Sequence, residues 1–179
     1  MGEGYEFWLE DIEPCTLNTA YETSSAHHKF KSGKTHVWLW TLRKQLLQYK
    51  PSINQLKAYW RASEHYLLVN YTHFIPAKKL FVQKNRPKEG VKKGAISKVS
   101  RDWSNIPKIP DDLIFNAILG IDDGHICTGV VNKFPSPDDR FYLLLKIQIR
   151  TIEELKERAK HALPDHYKNE IATLLRRLY

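Results

Sequence analysis

No stretch of this 179-residue chain approaches the ~20 consecutive apolar residues that a bilayer span requires, so no transmembrane helix is expected. Met1-Gly2-Glu3-Gly4 has neither a basic n-region nor an apolar h-region, so no signal peptide is expected. Cysteine is scarce: Cys15 and Cys127 lie far apart and fit no metal or redox spacing. That excludes a disulfide framework and makes a reducing cytoplasm the expected compartment. Internal repeats and low-complexity tracts are also missing, which removes solenoids and long disordered regions. The remaining composition is ordinary, with 42% hydrophobic and 27% charged residues. It predicts one domain over residues 1–179, long enough to bury a core.

Acid is also nearly missing from one segment. Residues 78–101 hold nine basic side chains (Lys78, Lys79, Lys84, Arg86, Lys88, Lys92, Lys93, Lys98, Arg101) and one acid, Glu89. The other 155 residues carry 19 basic and 19 acidic side chains and are neutral. The net charge of +8 therefore resides in this segment. With Pro87, Gly90 and Gly94 interspersed, it reads as a loop aimed at a polyanion, nucleic acid above all, or as a solvated loop serving solubility.

Periodicity supplies the elements. Residues 5–12 alternate as a strand with Tyr5, Phe7 and Leu9 on one face. Thr35 is placed to cap a helix over residues 36–49, with Leu39, Leu42, Leu46 and Tyr49 as its apolar stripe and Pro51 as its stop. Ser52 and Gln55 suggest a capping box for a second helix to about Ala62. Residues 66–75 read as a strand, 112–118 as a short helix, 125–131 as a strand, and 140–149 as a strand with Phe141, Leu143, Leu145, Ile147 and Ile149 facing inward. Thr151 and Glu154 form a capping box for a helix to about Leu163, and a last helix follows Pro164-Asp165. The order predicts an α+β fold around a small mixed, mostly antiparallel sheet, with two C-terminal helices.

The chemistry concentrates between residues 101 and 123. The segment reads Arg101-Asp102-Trp103-Ser104-Asn105, then Lys108, Asp111-Asp112 and Asp122-Asp123. Hydrolysis of a phosphodiester with Mg²⁺ needs hard oxygen ligands, typically one or two carboxylates, with waters and substrate phosphate completing the octahedron. A helix-bearing excursion between Asp102 and Asp123 can return the chain to one place. Lys108 is suited to stabilise charge growing on the phosphate. The bland alternative is that these acids are caps and turn residues, Asp111-Asp112 especially.

This segment resembles the signature of the RusA-like Holliday junction resolvases: Arg-Asp-x-Asp-Asn-x-x-Lys-x-x-x-Asp, with Asp-Asp beginning ten positions further on. Arg101-Asp102, Asn105, Lys108, Asp112 and Asp122-Asp123 fall in register without a gap, and Pro110 falls where the family often has proline. Pro14, Asn18 and Tyr21 are similar to the turn after the family's first strand, and Lys31-Ser32-Gly33 to the start of its next element. The resemblance covers roughly residues 5–150, leaving 151–179 as a helical extension. It implies Mg²⁺-dependent nicking of four-way DNA junctions by a homodimer, in recombination and repair, with Mn²⁺ able to replace Mg²⁺. Carried over, the catalytic residues are Asp102, Lys108 and Asp123; the metal ligands are Asp102 and Asp123, with Asp122 as a further oxygen donor. Asn105 and Asp112 shape the site. Ser104 stands where the family has a second carboxylate. Asp122 then supplies the missing oxygen, or two carboxylates suffice, or the chain is a catalytically weak or inactive protein that binds branched DNA.

Other residues have simpler readings. His27, His28 and His36 match no ligand pattern. His125, two residues past Asp123, reads as a strand-edge histidine with a structural partner, or as a phosphate contact. Trp38, Trp40 and Trp60 read as core or dimer packing. Trp103 reads as packing under the site, or as a stacking surface for an exposed base. Arg176 and Arg177 read as solvent-facing.

Overall fold

The computed structural model describes residues 3–14, 21–23, 29–31, 33–81, 83–84, 92–95 and 112–162. The elements, in chain order, are β1 (Gly4–Glu10), β2 (Tyr21–Thr23), β3 (Lys29–Lys31), α1 (Gly33–Leu46), α2 (Lys50–Tyr59), β4 (His65–Ile75), α3 (Ala77–Leu80), α4 (Asp112–Leu119), β5 (Ile126–Pro135), β6 (Tyr142–Thr151) and α5 (Ile152–Ala162). The fold is α+β. Its main sheet has the order β1-β6-β4-β5, with β1/β6 and β6/β4 antiparallel and β4/β5 parallel. β2 and β3 form a separate antiparallel pair.

Alternation builds the core. Tyr5, Phe7 and Leu9 of β1 face the same side as Leu143, Leu145, Ile147 and Ile149 of β6 and Leu67, Val69 and Tyr71 of β4. α1 covers that side with Leu42 and Leu46, α2 with Ile53 and Leu56, and α4 with Ile114, Phe115 and Leu119. Burying each such side chain stabilises the fold by roughly 1.5–3 kcal/mol before conformational entropy is counted. On the opposite face Trp8 stacks on Tyr142 at 5.2 Å and lies 5.5 Å from Phe74, which lies 6.1 Å from Phe134. Asn70, between these strands, accepts hydrogen bonds from Thr72 at 3.1 Å and from Asn132 at 3.0 Å.

Several local expectations are corrected. Thr35 does not cap α1; the helix starts two residues earlier, at Gly33, and Thr35 is buried within it. Pro51 does not stop a helix. It occupies the first turn of α2, where its missing N–H costs nothing and its fixed φ suits the helix. Only a 3₁₀ turn over Leu47–Tyr49 separates α1 from α2. Ser52 therefore lies inside α2 and forms no cap, and α2 ends at Tyr59 rather than near Ala62. β5 runs to Pro135, beyond the expected end at Val131. Its last residue is a proline on a strand that is at the sheet edge among the described residues, a place where proline is tolerated. Phe141 falls just before β6 and is half-buried, with the Lys79 ammonium 4.5 Å above its ring.

Other signals held. The Thr151–Glu154 capping box is present, each backbone N–H donating to the other side chain at 3.3 Å. The helix expected after Pro164 lies outside the described residues, as does Cys15. Cys127 is exposed and unbonded to another cysteine. Among the described residues no helix is long and apolar enough to cross a membrane.

Candidate functional site

The route from α4 to β5 places the second half of the acidic signature. α4 is wound as a π-helix, a form that recurs at functional positions. Ile114, Phe115 and Leu119 anchor it in the core. Gly120 then adopts φ +67°, a left-handed conformation that L side chains resist, and turns the chain out of the helix. The Ile121 N–H donates back to the Phe115 carbonyl at 2.9 Å, and the Ile121 side chain is buried. The next two residues, Asp122 and Asp123, therefore emerge at the rim of the sheet, just before β5.

The two carboxylates differ in what they do. Asp122 is extended, and its Oδ1 accepts the Gly124 N–H at 2.7 Å, capping the 3₁₀ turn Asp123–His125. The His125 N–H donates to the Asp122 carbonyl at 3.1 Å. A Cβ at position 124 would sit 2.9 Å from that same Oδ1, so a side chain there would push on the capping carboxylate. Asp123 is half-buried, and among the described residues its carboxylate has no hydrogen-bond or ion-pair partner. An unengaged carboxylate at a partly open rim is a hard oxygen donor of the kind Mg²⁺ takes. Asp122 retains its second oxygen beside it.

An aromatic wall backs the turn. His125 packs edge-to-face on Trp60 at 5.2 Å. Trp60 also lies 6.1 Å from His65, which stacks on Tyr59 at 5.0 Å. His65 is buried and accepts the Arg61 N–H on Nδ1 at 3.0 Å. His125 thus has the structural partner expected of a strand-edge histidine, and that partner is Trp60. The only available signal was an aromatic pair, Tyr59-Trp60, at the end of a helix. A cleft of about 760 Å³ opens between α5 and the sheet, lined by Tyr66, Leu68, Gln148, Arg150, Glu153 and Glu157. No residue of the acidic turn lines it.

Arg101, Asp102, Trp103, Ser104, Asn105 and Lys108 lie outside the described residues. Asp112 is the first residue of α4. Among the described residues no group of three or more His, Cys, Asp or Glu side chains is placed to hold a metal.

The basic segment is divided. Lys78 and Lys79 sit on α3, after the last residue of β4, whereas Asp123 lies beside that strand's first residues through the Leu67–Ile126 register. The length of β4, at ~3.3 Å per residue, separates them by about 30 Å. Both lysines also have acidic partners: Lys78 meets Asp139 at 2.6 Å and Lys79 meets Glu13 at 3.6 Å. Lys84 is exposed. Lys92 and Lys93 are exposed on a turn closed by the Ala95 N–H donating to the Lys92 carbonyl at 3.2 Å, with Gly94 at φ +85°. Arg86, Lys88 and Lys98 lie outside the described residues, as do His27, His28, Arg176 and Arg177. His36 is exposed on α1, and Trp38 donates from Nε1 to the Glu13 carbonyl at 2.6 Å. Trp40 is exposed, with the Lys44 ammonium 5.2 Å from its ring.

No protein-family model matches the chain, and no curated protein matches it.

Proposed function

We propose that the chain is a metal-dependent endodeoxyribonuclease that resolves four-way DNA junctions as a homodimer. The reading rests on the gapless register of Arg101-Asp102, Asn105, Lys108, Asp112 and Asp122-Asp123 with the RusA-like signature. One structural observation favours it. The chain spends a core-anchored π-helix and a left-handed glycine to bring Asp123 to an open rim, and leaves its carboxylate without a partner among the described residues.

In this reading Asp102 and Asp123 hold Mg²⁺, with Asp122 offering its free oxygen. Bound Mg²⁺ supplies a Lewis acid for the phosphoryl oxygens. Lys108 stabilises the charge that grows on the phosphate as water attacks. Lys84, Arg86, Lys88, Lys92, Lys93, Lys98 and Arg101 grip the phosphate backbone, which positions the DNA without reading its sequence. A two-fold dimer would present two such sites, matching two symmetric cuts.

Ser104 favours a second reading, a branched-DNA-binding protein with weak or no catalysis. Asp122 adds to it, since one of its oxygens is committed to the Gly124 amide. A panel of four-way, flap and duplex substrates with Mg²⁺ or Mn²⁺ separates the two. Cleavage confined to the four-way junction supports the nuclease. Tight junction binding without cleavage at any metal concentration supports the silent binder.

A further inference from the structure

We infer that Trp60 is a positioning residue for the acidic turn: its ring, fixed from the core through α2, holds His125 and thereby sets where the Asp123 carboxylate stands. The part of this inference that concerns metal binding rests on the nuclease reading; the part that concerns the turn does not.

The path is continuous on the structure. α2 is anchored by the buried side chains of Ile53 and Leu56. Its end is closed at Trp60, whose N–H donates to the Leu56 carbonyl at 2.9 Å and whose backbone turns to φ −62°, ψ 132°. Arg61 locks that end, with its guanidinium Nη1 donating to the carbonyls of Ala58 at 2.8 Å and Trp60 at 2.7 Å. The Glu64 and His65 N–H groups both donate to the Arg61 carbonyl, at 3.0 and 2.9 Å, and lead directly into β4. The backbone that carries the indole is thus held from the helix side and from the strand side. It presents its ring to His125 at 5.2 Å with the planes 70° apart, a favourable edge-to-face geometry.

Among the described residues the hydrogen bonds of the turn are local to it. Asp123 and His125 occupy a single 3₁₀ turn, closed by the Asp122 cap and by the Ile126 N–H donating to the Asp123 carbonyl. His125 is the turn's only aromatic side chain, and its contact with Trp60 ties the turn to α2, far away in sequence. Losing one aromatic contact of this kind weakens local order on the order of tenfold. A carboxylate that must meet a cation with strict octahedral demands is sensitive to such loosening.

The test uses the full-length chain and compares Trp60→Ala with Trp60→Phe. Amide hydrogen exchange is followed at Gly124, His125 and Ile126, with Val69 and Tyr71 in the core as the control for global stability. Mn²⁺ affinity and junction cleavage are measured on the same proteins. Trp60→Ala is expected to speed exchange about tenfold at Gly124 and His125 while Val69 and Tyr71 stay protected. It should also weaken Mn²⁺ binding and lower kcat more than it raises KM. Trp60→Phe, which keeps an aromatic ring, should restore most of each. Unchanged exchange at Gly124 and His125 in Trp60→Ala would overturn the inference, as would turn exchange in Trp60→Phe as fast as in Trp60→Ala, or a loss of protection at Val69 and Tyr71 equal to that at the turn in both variants. If the turn loosens as expected but the wild-type chain binds no Mn²⁺ and cuts no junction, the nuclease reading fails while the positioning of the turn is upheld.

Discussion

The side chain of Gln45 on α1 hydrogen-bonds both backbone groups of Glu10 on β1: its Oε1 accepts the Glu10 N–H at 2.7 Å and its Nε2 donates to the Glu10 carbonyl at 2.5 Å. Tyr49 does the same one pair earlier, its hydroxyl accepting the Trp8 N–H at 3.1 Å and donating to the Trp8 carbonyl at 2.8 Å. Among the described residues β1 is an edge strand, and unpaired edges invite pairing with other chains. Two helix side chains take the place of a neighbouring strand. Replacing Gln45 with Ala should cost about 1–2 kcal/mol, from two backbone groups returned to water. It should also raise concentration-dependent self-association, read by light scattering. Equal stability and unchanged association would show that the edge is protected by something else.

His73 gives stability a definite pH dependence. It is fully buried, and neither ring nitrogen has a hydrogen-bond partner among the described residues. Burial, with a smaller contribution from Lys133, lowers its pKa from 6.5 to about 3. The folded chain therefore holds this imidazole neutral where the unfolded chain protonates it. This contribution to stability is fully present above pH ~6.5 and is lost as pH falls from there toward 3, at up to about 1.4 kcal/mol per pH unit. Asp11 and Asp138 also have lowered pKa values, the first through its hydrogen bonds from Arg140, the second through those from Tyr142 and the Arg140 backbone. Their share is present above the ordinary value of 3.8 and lost as pH falls through and below it, so the window from about pH 5 to 6.5 separates His73 from these two. Urea midpoints across that window should fall with acid in the wild type and flatten in His73→Phe. A flat wild-type profile would contradict the buried neutral imidazole.

Asp122 and Asp123 should separate by substitution. Asp122→Asn keeps an oxygen for the Gly124 amide and should preserve stability, whereas Asp122→Ala should cost about 1 kcal/mol as a lost cap. Asp123→Asn removes no bond seen among the described residues and should leave stability within ~0.5 kcal/mol while abolishing Mn²⁺ binding. Thermal melts paired with Mn²⁺ titration read both. Strong destabilisation by Asp123→Asn would mark it as a structural carboxylate instead.

The lysines should not be equivalent. Lys78 and Lys79 have acidic partners and lie at the far end of β4 from Asp123. Lys84 and Lys92 belong to the part of the chain that leads back toward the signature. Alanine at Lys84 or Lys92 should weaken junction binding and reduce the slope of log affinity against log salt by about one. Alanine at Lys78 should change neither by more than a small fraction of that. Equal losses at all three would place the DNA along the whole sheet.

What was legible in the sequence was what short spacings decide. The alternation of Tyr5, Phe7 and Leu9, and of Leu143 through Ile149, sets the buried face of two strands without reference to the rest of the chain. The Thr151–Glu154 box closes within one turn. Pro51 is ambiguous in the sequence because one proline can end a helix before it or start one after it. Which of these happens depends on how α1 and α2 pack through Leu42, Leu46, Ile53 and Leu56. The parallel pairing of β4 with β5 joins strands some fifty residues apart and leaves no local trace. The same holds for the site. Asp122 and Asp123 were found by spacing, but the contact of Trp60 with His125 exists only once β4 and β5 lie side by side.

The central proposal is most directly tested by incubating the full-length chain with a labelled four-way junction and Mg²⁺ and mapping the nicks on all four strands. The account predicts paired, symmetric nicks that vanish in Asp102→Asn and Asp123→Asn and increase in Ser104→Asp, with junction affinity unchanged in all three. Junction binding without nicks in the wild type and in Ser104→Asp alike, or nicking that survives both aspartate substitutions, would contradict it.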